Sequence, residues 1–237
     1  TSFVAGNIPL CTMTSLRIAC WNVLADCYFT PTKAYRNSWV KRFNQISSII
    51  RTVAQSTDLF LLQEIDHLDD CYAPLFKQLG FDVIYVQRPG KGDGCLLAYS
   101  IAEFELVKWE TVSFDDLAAP FAPQSSSSLA SRVHNPPAGY RHSSLLRHNV
   151  AIIAHLRRRV LASVGSTRTD PPHEPSHTHH SSEPHQDIVV AVPHLYWNPN
   201  FADVKSAQVT YLLDRVASFR LGIAALGPTS SVPILQM

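Results

Sequence analysis

Three polar side chains stand where buried stretches of the chain end, and each could take part in phosphate chemistry. Asn22 follows the apolar run LRIACW, Glu64 closes the run DLFLLQE, and His194 follows the run DIVVAVP. The ends of strands that meet at one edge of a sheet are the usual place for a functional site in α/β proteins. Each of the three residues alone is more commonly a turn or capping residue, so only their combination argues for a site.

These three residue types supply the groups that a metal-assisted reaction at a phosphate needs. A carboxylate such as Glu64 can hold Mg²⁺, which prefers oxygen ligands and keeps several of its waters for the substrate. The Asn22 amide can steady a metal-bound water or a phosphate oxygen. His194 can donate a hydrogen bond to a phosphoryl oxygen or neutralise charge as it develops.

Strands and helices alternate along the chain, and this order predicts an α/β fold. Apolar runs predict strands at 16–21, 58–64, 81–86, 95–100, 104–110, 149–156, 187–194 and 232–236. Apolar residues at steps of three and four predict amphipathic helices over 39–53, 68–79 and roughly 202–219. We therefore expect a site at the strand ends, with helices on the faces of the sheet.

Two low-complexity stretches interrupt this order, at about 118–144 and about 161–186. The first is rich in Ser and Pro and the second in His, Ser and Pro, so neither can bury enough apolar surface to order itself. The second stretch could bind Zn²⁺ or Ni²⁺ weakly, but its prolines prevent a helix that would present paired histidines. We expect both stretches to be surface insertions. The metal-binding candidates in the second are His173, Glu174, His177, His179, His180 and His185.

The composition limits the kinds of partner that the chain could bind. Hydrophobic residues make up 46% of the 237 residues, and the formal net charge of +1 argues against a broad basic face. A nucleic acid would have to bind through a local groove and a metal. The five cysteines are an odd number without a CxxC pair, which favours a reduced compartment. Because neither a secretory signal nor a membrane span is visible, we expect an intracellular protein, cytoplasmic or nuclear.

Five segments, in the same order along the chain, resemble motifs of the endonuclease/exonuclease/phosphatase family. They are CWNVLADCY (20–28), DLFLLQEID (58–66), RPGKGDGCLLAYS (88–100), RHNVAIIAHL (147–156) and HLYWNPNFADVKSAQ (194–208). The last is similar to the branch that contains carbon catabolite repressor-type deadenylases, Angel proteins, nocturnin and the 2′,5′-phosphodiesterase. The resemblance implies a four-layer α/β sandwich and a Mg²⁺-dependent activity.

The resemblance also implies a role for each matching residue. Glu64 would be the principal Mg²⁺ ligand, and Asn22 would support the metal or a phosphate. His194 would contact the scissile phosphate, and Asn149 would lie near the same phosphate. Pro199 would lie against a base in a nucleotide pocket.

For the aromatic residues before Pro199 we favour packing over base stacking. Trp197 and Tyr196 could stack on a base, but aromatic side chains more commonly fill a core. The neighbouring Lys205 is expected to be a solvated helix charge rather than a phosphate contact.

Two departures from the family pattern bear on activity. Val192 stands where the family usually has an Asn two residues before the histidine, and valine cannot donate a hydrogen bond to a phosphate. The motifs GDFNS and SDH, which supply an Asp, an Asn and a His of the family's catalytic centre, do not occur among the 237 residues. We therefore expect a sandwich that is incomplete at the C-terminus and a chain that is inactive alone.

The favoured function is a Mg²⁺-dependent phosphodiesterase, a 3′-5′ exoribonuclease similar to poly(A) deadenylases. One alternative is a nucleotide phosphatase or 2′,5′-phosphodiesterase of the same fold, which the valine at position 192 keeps open. Another is a catalytically inactive, truncated form that acts as an interaction module. The substrate would be RNA or a nucleotide, no membrane contact is expected, and the sequence does not predict protein partners.

Overall fold

Two four-stranded sheets form the centre of the molecule in the computed structural model, which describes residues 15–29, 39–121, 142–159, 186–224 and 234–236. The first sheet contains β1 (Ile18–Asn22), β2 (Leu59–Ile65), β3 (Phe81–Gln87) and β4 (Gly94–Ser100), in the order β1-β2-β4-β3. The second contains β5 (Phe104–Ser113), β6 (Val150–Arg158), β7 (Asp187–Pro193) and β8 (Ile234–Gln236), in that order. The pairs β1–β2 and β7–β8 are parallel, and the other pairs are antiparallel.

The main core lies between the two sheets. Side chains alternate between the faces of a strand, so every second residue of β2, β4, β6 and β7 points inward. From the first sheet the inner face presents Leu59, Leu61, Ile84, Val86, Cys95, Leu97 and Tyr99. From the second it presents Phe104, Val150, Ile152, Ala154, Leu156, Ile188, Val190 and Val192. Burial of these two apolar faces against each other holds the sheets together.

Helices cover the outer face of each sheet. On the first sheet, α1 (Trp39–Ala54) and α2 (Ala73–Gln78) pack against the other set of alternating residues, such as Phe60 and Leu62. The short α3 (His142–Leu145) lies near the start of β6. On the second sheet, α4 (Ala202–Ala224) buries residues at helical spacing against Ala151 and Ile153. The helix–sheet–sheet–helix order confirms the predicted four-layer α/β sandwich.

The predicted elements differ from the observed ones mainly at their ends. The helix expected over 68–79 is divided: residues 68–72 form a π-helical turn, and α2 covers 73–78 before Gly80, which has a φ of +80°. A 3₁₀ helix spans Phe114–Phe121, so the chain is still regular at 118–121, and residues 142–144 belong to α3. The remainder of the two expected insertions, with the whole histidine-rich tract, lies outside the described residues.

Candidate functional site

Glu64 owes its direction to a bulge at the end of β2. By strict alternation its side chain would share the outer face with Phe60 and Leu62, away from the other sheet. The register between β2 and β4 shifts between Gln63 and Ile65, and Glu64 has a φ of +59°. Such a bulge re-aims one side chain and lets the next residue return to the outer face, here Ile65. The positive φ is a local strain that keeps the carboxylate at the end of the strand.

Asn22 and Glu64 are directly bonded at the ends of their paired strands. The Asn22 amide nitrogen donates to Glu64 Oε1 at 2.8 Å, and the backbone N–H of Ala25 donates to Oε2 at 3.3 Å. The Asn22 Oδ1 accepts from the backbone N–H of Leu24 at 3.0 Å. Asn22 therefore fixes the Glu64 carboxylate and the following loop at once. The structure brings together the two residues that the sequence predicted as metal ligands.

These two residues suit a hard cation. Glu64 is half-buried, and its carboxylate accepts two hydrogen bonds that orient it. Both donors are uncharged, so the negative charge of the carboxylate is not neutralised by them. Mg²⁺ is commonly bound by one or two carboxylates and several waters. Glu64 can supply that carboxylate. Asn22 contributes chiefly by holding it, although the second lone pair of its Oδ1 is a further possible ligand.

His194 is held at the corresponding end of the second sheet by buried amides. Its backbone N–H donates to the Val150 carbonyl at 2.9 Å, and its own carbonyl accepts from Asn149 Nδ2 at 2.8 Å. The Oδ1 of Asn149 accepts from Gln208 Nε2 at 3.4 Å, and Gln208 Oε1 accepts from the Tyr196 N–H at 2.8 Å. Both amides are buried. Asn149, predicted as a phosphate contact, here uses both ends of its amide to position the chain around His194.

The electrostatic surroundings keep the His194 imidazole neutral at neutral pH. Burial lowers the pKa of His194, and the charge of Arg88 lowers it further. The charges of Glu64 and Asp93 act in the opposite direction but are weaker. The charges of Arg88, Glu64 and Asp93 all act on the same ring, so Glu64 and His194 share one electrostatic environment.

A buried ion pair whose two charges act on His194 was not predicted from the sequence. Arg88 donates through Nη1 to both carboxylate oxygens of Asp93, at 3.2 and 3.3 Å, and through Nε to the His148 carbonyl at 3.1 Å. The Tyr28 hydroxyl donates to the same carboxylate at 2.7 Å. This network ties the loop after β1, the β3–β4 turn and the start of β6 to one another. It therefore fixes the relative positions of the chain segments that carry the candidate site.

The segment that follows His194 presents an aromatic surface. The Arg147 guanidinium lies over the rings of Tyr196 and Phe201, with centroid distances of 4.6 and 4.9 Å. Packing is thus confirmed for Tyr196. It is wrong for Trp197, which is 74% exposed. Pro199 is also exposed, at the start of a 3₁₀ turn, and its contact with a base stays a prediction.

Val192 lies between the sheets and not at the site. Its side chain is fully buried in the main core, and its strand partner in β6 is Ile152. Val192 can therefore offer no polar contact to a substrate. Among the described residues, no helix has the length and apolar character needed to cross a membrane.

Curated proteins with similar sequences belong to one group. Carbon catabolite repressor protein 4 homolog 4 of Arabidopsis thaliana is 29% identical over 211 residues, which is 86% of this chain and 48% of that protein. The CCR4-Not complex 3′-5′-exoribonuclease subunit Ccr4 of Mycosarcoma maydis is 24% identical, over 93% of this chain and 30% of that protein. The chain thus spans half or less of the length of these two relatives. No family model matches it.

Two solved structures share the fold of this chain. The human nocturnin catalytic domain matches with a TM-score of 0.57 and 20% identity, over 87% of this chain and 60% of that one. ANGEL2, described as a 2′,3′-cyclic phosphatase, matches with a TM-score of 0.58 and 22% identity, over 86% of this chain and 48% of that one. At these identities the likeness establishes the fold.

Proposed function

We propose that this chain carries part of the site of a Mg²⁺-dependent phosphodiesterase. It belongs to the endonuclease/exonuclease/phosphatase family, in the branch of carbon catabolite repressor-type deadenylases, Angel proteins and nocturnin. Its substrate is the 3′ end of RNA, from which it releases nucleotides in the 3′-5′ direction. The observation that carries the proposal is the hydrogen bond between Asn22 and Glu64 at the ends of their strands, together with the effect of the Glu64 charge on the buried His194 ring. The similarity in sequence to an exoribonuclease subunit supports the choice of RNA.

Within this proposal, Glu64 and Asn22 hold the metal. An ion held there would supply the positive charge that an in-line displacement at a phosphate needs on the phosphoryl oxygens. The hydrogen bonds from Asn22 and the Ala25 N–H keep the Glu64 carboxylate in one orientation, so its side chain loses little conformational entropy when it binds the ion. Such preorganisation is the main service of the protein at a metal site.

His194 acts on the substrate in its neutral form. Its lowered pKa means that the imidazole carries one N–H at neutral pH, which can donate to a phosphoryl oxygen without placing a full positive charge beside the metal. Asn149 and Gln208 hold the backbone of His194 and of the residues after it, so they are positioning residues in this scheme.

A second candidate is a nucleotide phosphatase or 2′,5′-phosphodiesterase. The observation that favours it is the buried Val192, because the family's usual amide at that position would be absent from substrate binding. Proteins of the same fold act on different phosphate substrates, and ANGEL2, described as a 2′,3′-cyclic phosphatase, is an example. A third candidate is a chain without turnover of its own, because the sequence does not contain the GDFNS and SDH motifs.

One experiment separates these candidates. Residues 1–237, and a version extended by a segment that carries GDFNS and SDH, are assayed with Mg²⁺ on poly(A), 2′,5′-linked oligoadenylate and NADP(H). We expect turnover of poly(A) by the extended version and none by residues 1–237. Preference for another substrate would select the second candidate, and equal rates from the two versions would contradict the need for the added motifs.

The metal assignment is tested in the extended version by Glu64→Ala, with Gln63→Ala as the neighbouring control. We expect Glu64→Ala to abolish Mg²⁺-dependent turnover and to leave the far-ultraviolet circular dichroism unchanged, because removing an essential group costs most of the rate. The control should keep its activity. Near-normal turnover by Glu64→Ala would remove Glu64 from the mechanism.

A further inference from the structure

A second group of metal-ligating side chains lies in the π-helical turn after β2. His67, Asp70 and Cys71 each offer one ligand atom, and these atoms lie within 4.8 Å of one another. His67 Nδ1 is 3.2 Å from Asp70 Oδ2. All three side chains come from a single turn, so their spacing does not depend on any movement between the sheets.

We propose that His67, Asp70 and Cys71 bind a zinc ion. Zn²⁺ accepts nitrogen, sulfur and oxygen ligands in a tetrahedron, at about 2.0–2.3 Å from each ligand. Neighbouring ligand atoms in such a tetrahedron are about 3–4 Å apart, and the ligand atoms of the cluster all lie within 4.8 Å of one another. A thiolate makes Mg²⁺ or Ca²⁺ a poor occupant, because those ions select oxygen. Three protein ligands leave the fourth position to a water.

Groups around the cluster are arranged as the outer partners of a metal site. Asp26 Oδ2 lies 3.8 Å from His67 Nε2, so His67 can bind the ion through Nδ1 while its other nitrogen donates toward a carboxylate. The Trp39 ring stacks on the imidazole with centroids 4.3 Å apart. Burial and the charges of Asp70 and Asp66 raise the pKa of the Cys71 thiol, and a hydrogen bond with the Trp39 side chain offsets only part of this rise, so the ion itself must displace the thiol proton. The ligands are therefore oriented before an ion arrives.

The backbone at His67 gives a further sign of a special position. Its φ of +49° is left-handed, which is uncommon for a residue other than glycine and is found with histidine more than with most. This conformation starts the π turn and brings the imidazole over Asp70 and Cys71. The half-buried cluster still reaches solvent, since the His67 side chain is 33% exposed and that of Asp70 is 66% exposed, so an ion can enter.

This cluster shares no residue with the proposed magnesium site. The Glu64 carboxylate is held by Asn22 and the Ala25 N–H, and neither of these belongs to the cluster. The two sites also differ in ligand type, one built on oxygen and the other on nitrogen, oxygen and sulfur. Binding of zinc releases the proton of the Cys71 thiol to solvent, and the bound ion then cross-links residues of the turn that follows β2.

The test uses Co²⁺ as a spectroscopic substitute for Zn²⁺ in the 237-residue chain. A thiolate ligand gives Co²⁺ a charge-transfer band in the near ultraviolet, to which the histidine-rich tract cannot contribute. We expect the band to saturate at one equivalent and to disappear when one equivalent of Zn²⁺ is added. An excess of Mg²⁺ should leave it unchanged.

Variants locate the ligands. Cys71→Ser should lose the band, His67→Ala should weaken Co²⁺ binding by at least about 10-fold, and Cys20→Ser, which changes an exposed cysteine on β1, should behave as the parent chain. Circular dichroism checks that each variant is folded. The absence of a band in the parent chain, its persistence in Cys71→Ser, or unchanged affinity in His67→Ala would each overturn the proposal.

Discussion

Replacing Glu64 by glycine and, separately, by alanine tests the left-handed backbone that directs its carboxylate. Both variants lose the same hydrogen bonds to Asn22 and the Ala25 N–H, so the difference between them reports on the backbone alone. Alanine keeps a Cβ and therefore keeps the strain at a φ of +59°. Glycine removes this strain.

The size of the effect follows from comparison with the neighbouring residue. A left-handed conformation costs a residue with a Cβ roughly 1–2 kcal/mol. Glycine in place of alanine costs about 0.5–1 kcal/mol through the greater freedom of the unfolded chain. At Gln63, whose φ is negative, only the second effect operates, so Gln63→Gly should be less stable than Gln63→Ala. We therefore compare, at each position, the unfolding free energy of the glycine variant minus that of the alanine variant. This difference should be about 1–2 kcal/mol more positive at position 64 than at position 63.

The assay is urea denaturation of the four variants in a chelating buffer, which removes any contribution from bound metal. The slopes of the unfolding free energy with urea should agree, so that the midpoints can be compared. If glycine is as unfavourable relative to alanine at position 64 as at position 63, Glu64 does not occupy the left-handed region and the bulge argument is wrong.

Three further predictions concern other groups of the fold. Tyr28→Phe should lower the unfolding free energy by about 1–3 kcal/mol, because the buried Asp93 carboxylate loses a hydrogen-bond donor. Tyr72→Phe should change the unfolding free energy by less than about 1 kcal/mol, because the Tyr72 hydroxyl is buried without a partner among the described residues. Equal losses of the two variants in urea denaturation would contradict this. Burial would raise the pKa of the Asp58 carboxyl, but the hydrogen bonds and charge of Arg17 outweigh it and lower that pKa. The stability difference between the parent chain and Arg17→Met should thus be present at neutral pH and shrink as the pH falls below about 4, and a difference that is independent of pH would refute the assignment. NMR titration should give His194 a pKa below the ordinary value for histidine, and a value at or above it would contradict the burial described for the ring.

The fold could be predicted because it depends on short-range patterns. The alternation of apolar runs placed the strands, and polar residues at three strand ends indicated Asn22, Glu64 and His194. What the pattern missed was the means by which Glu64 faces the site. Strict alternation would have directed it outward, and a bulge depends on pairing with a strand some thirty residues away.

The supporting residues escaped prediction for two different reasons. Arg88 and Asp93 stand in a glycine-rich turn, where charged residues are usually solvated, and their burial as a pair depends on contacts distant in sequence, such as the bond from Arg88 to the His148 carbonyl. Gln208, by contrast, left a signal that could have been used. It falls at a step of four residues from both Val204 and Leu212, on the buried stripe of α4, and a polar residue there calls for buried partners.

Each sheet is built from one continuous stretch of chain, and this has a consequence for the order of folding. Residues 18–100 contain all strands of the first sheet, and residues 104–236 contain those of the second. The Asn22–Glu64 contact belongs wholly to the first stretch, and the Asn149–His194 contact belongs wholly to the second. These two contacts join residues 42 and 45 positions apart, whereas Glu64 and His194 are 194 − 64 = 130 positions apart, so the first two close shorter loops and can form earlier at a lower entropic cost. The proposed site therefore forms at the last step, when the apolar faces of the two sheets pack together and the Glu64 carboxylate comes within electrostatic range of the His194 imidazole.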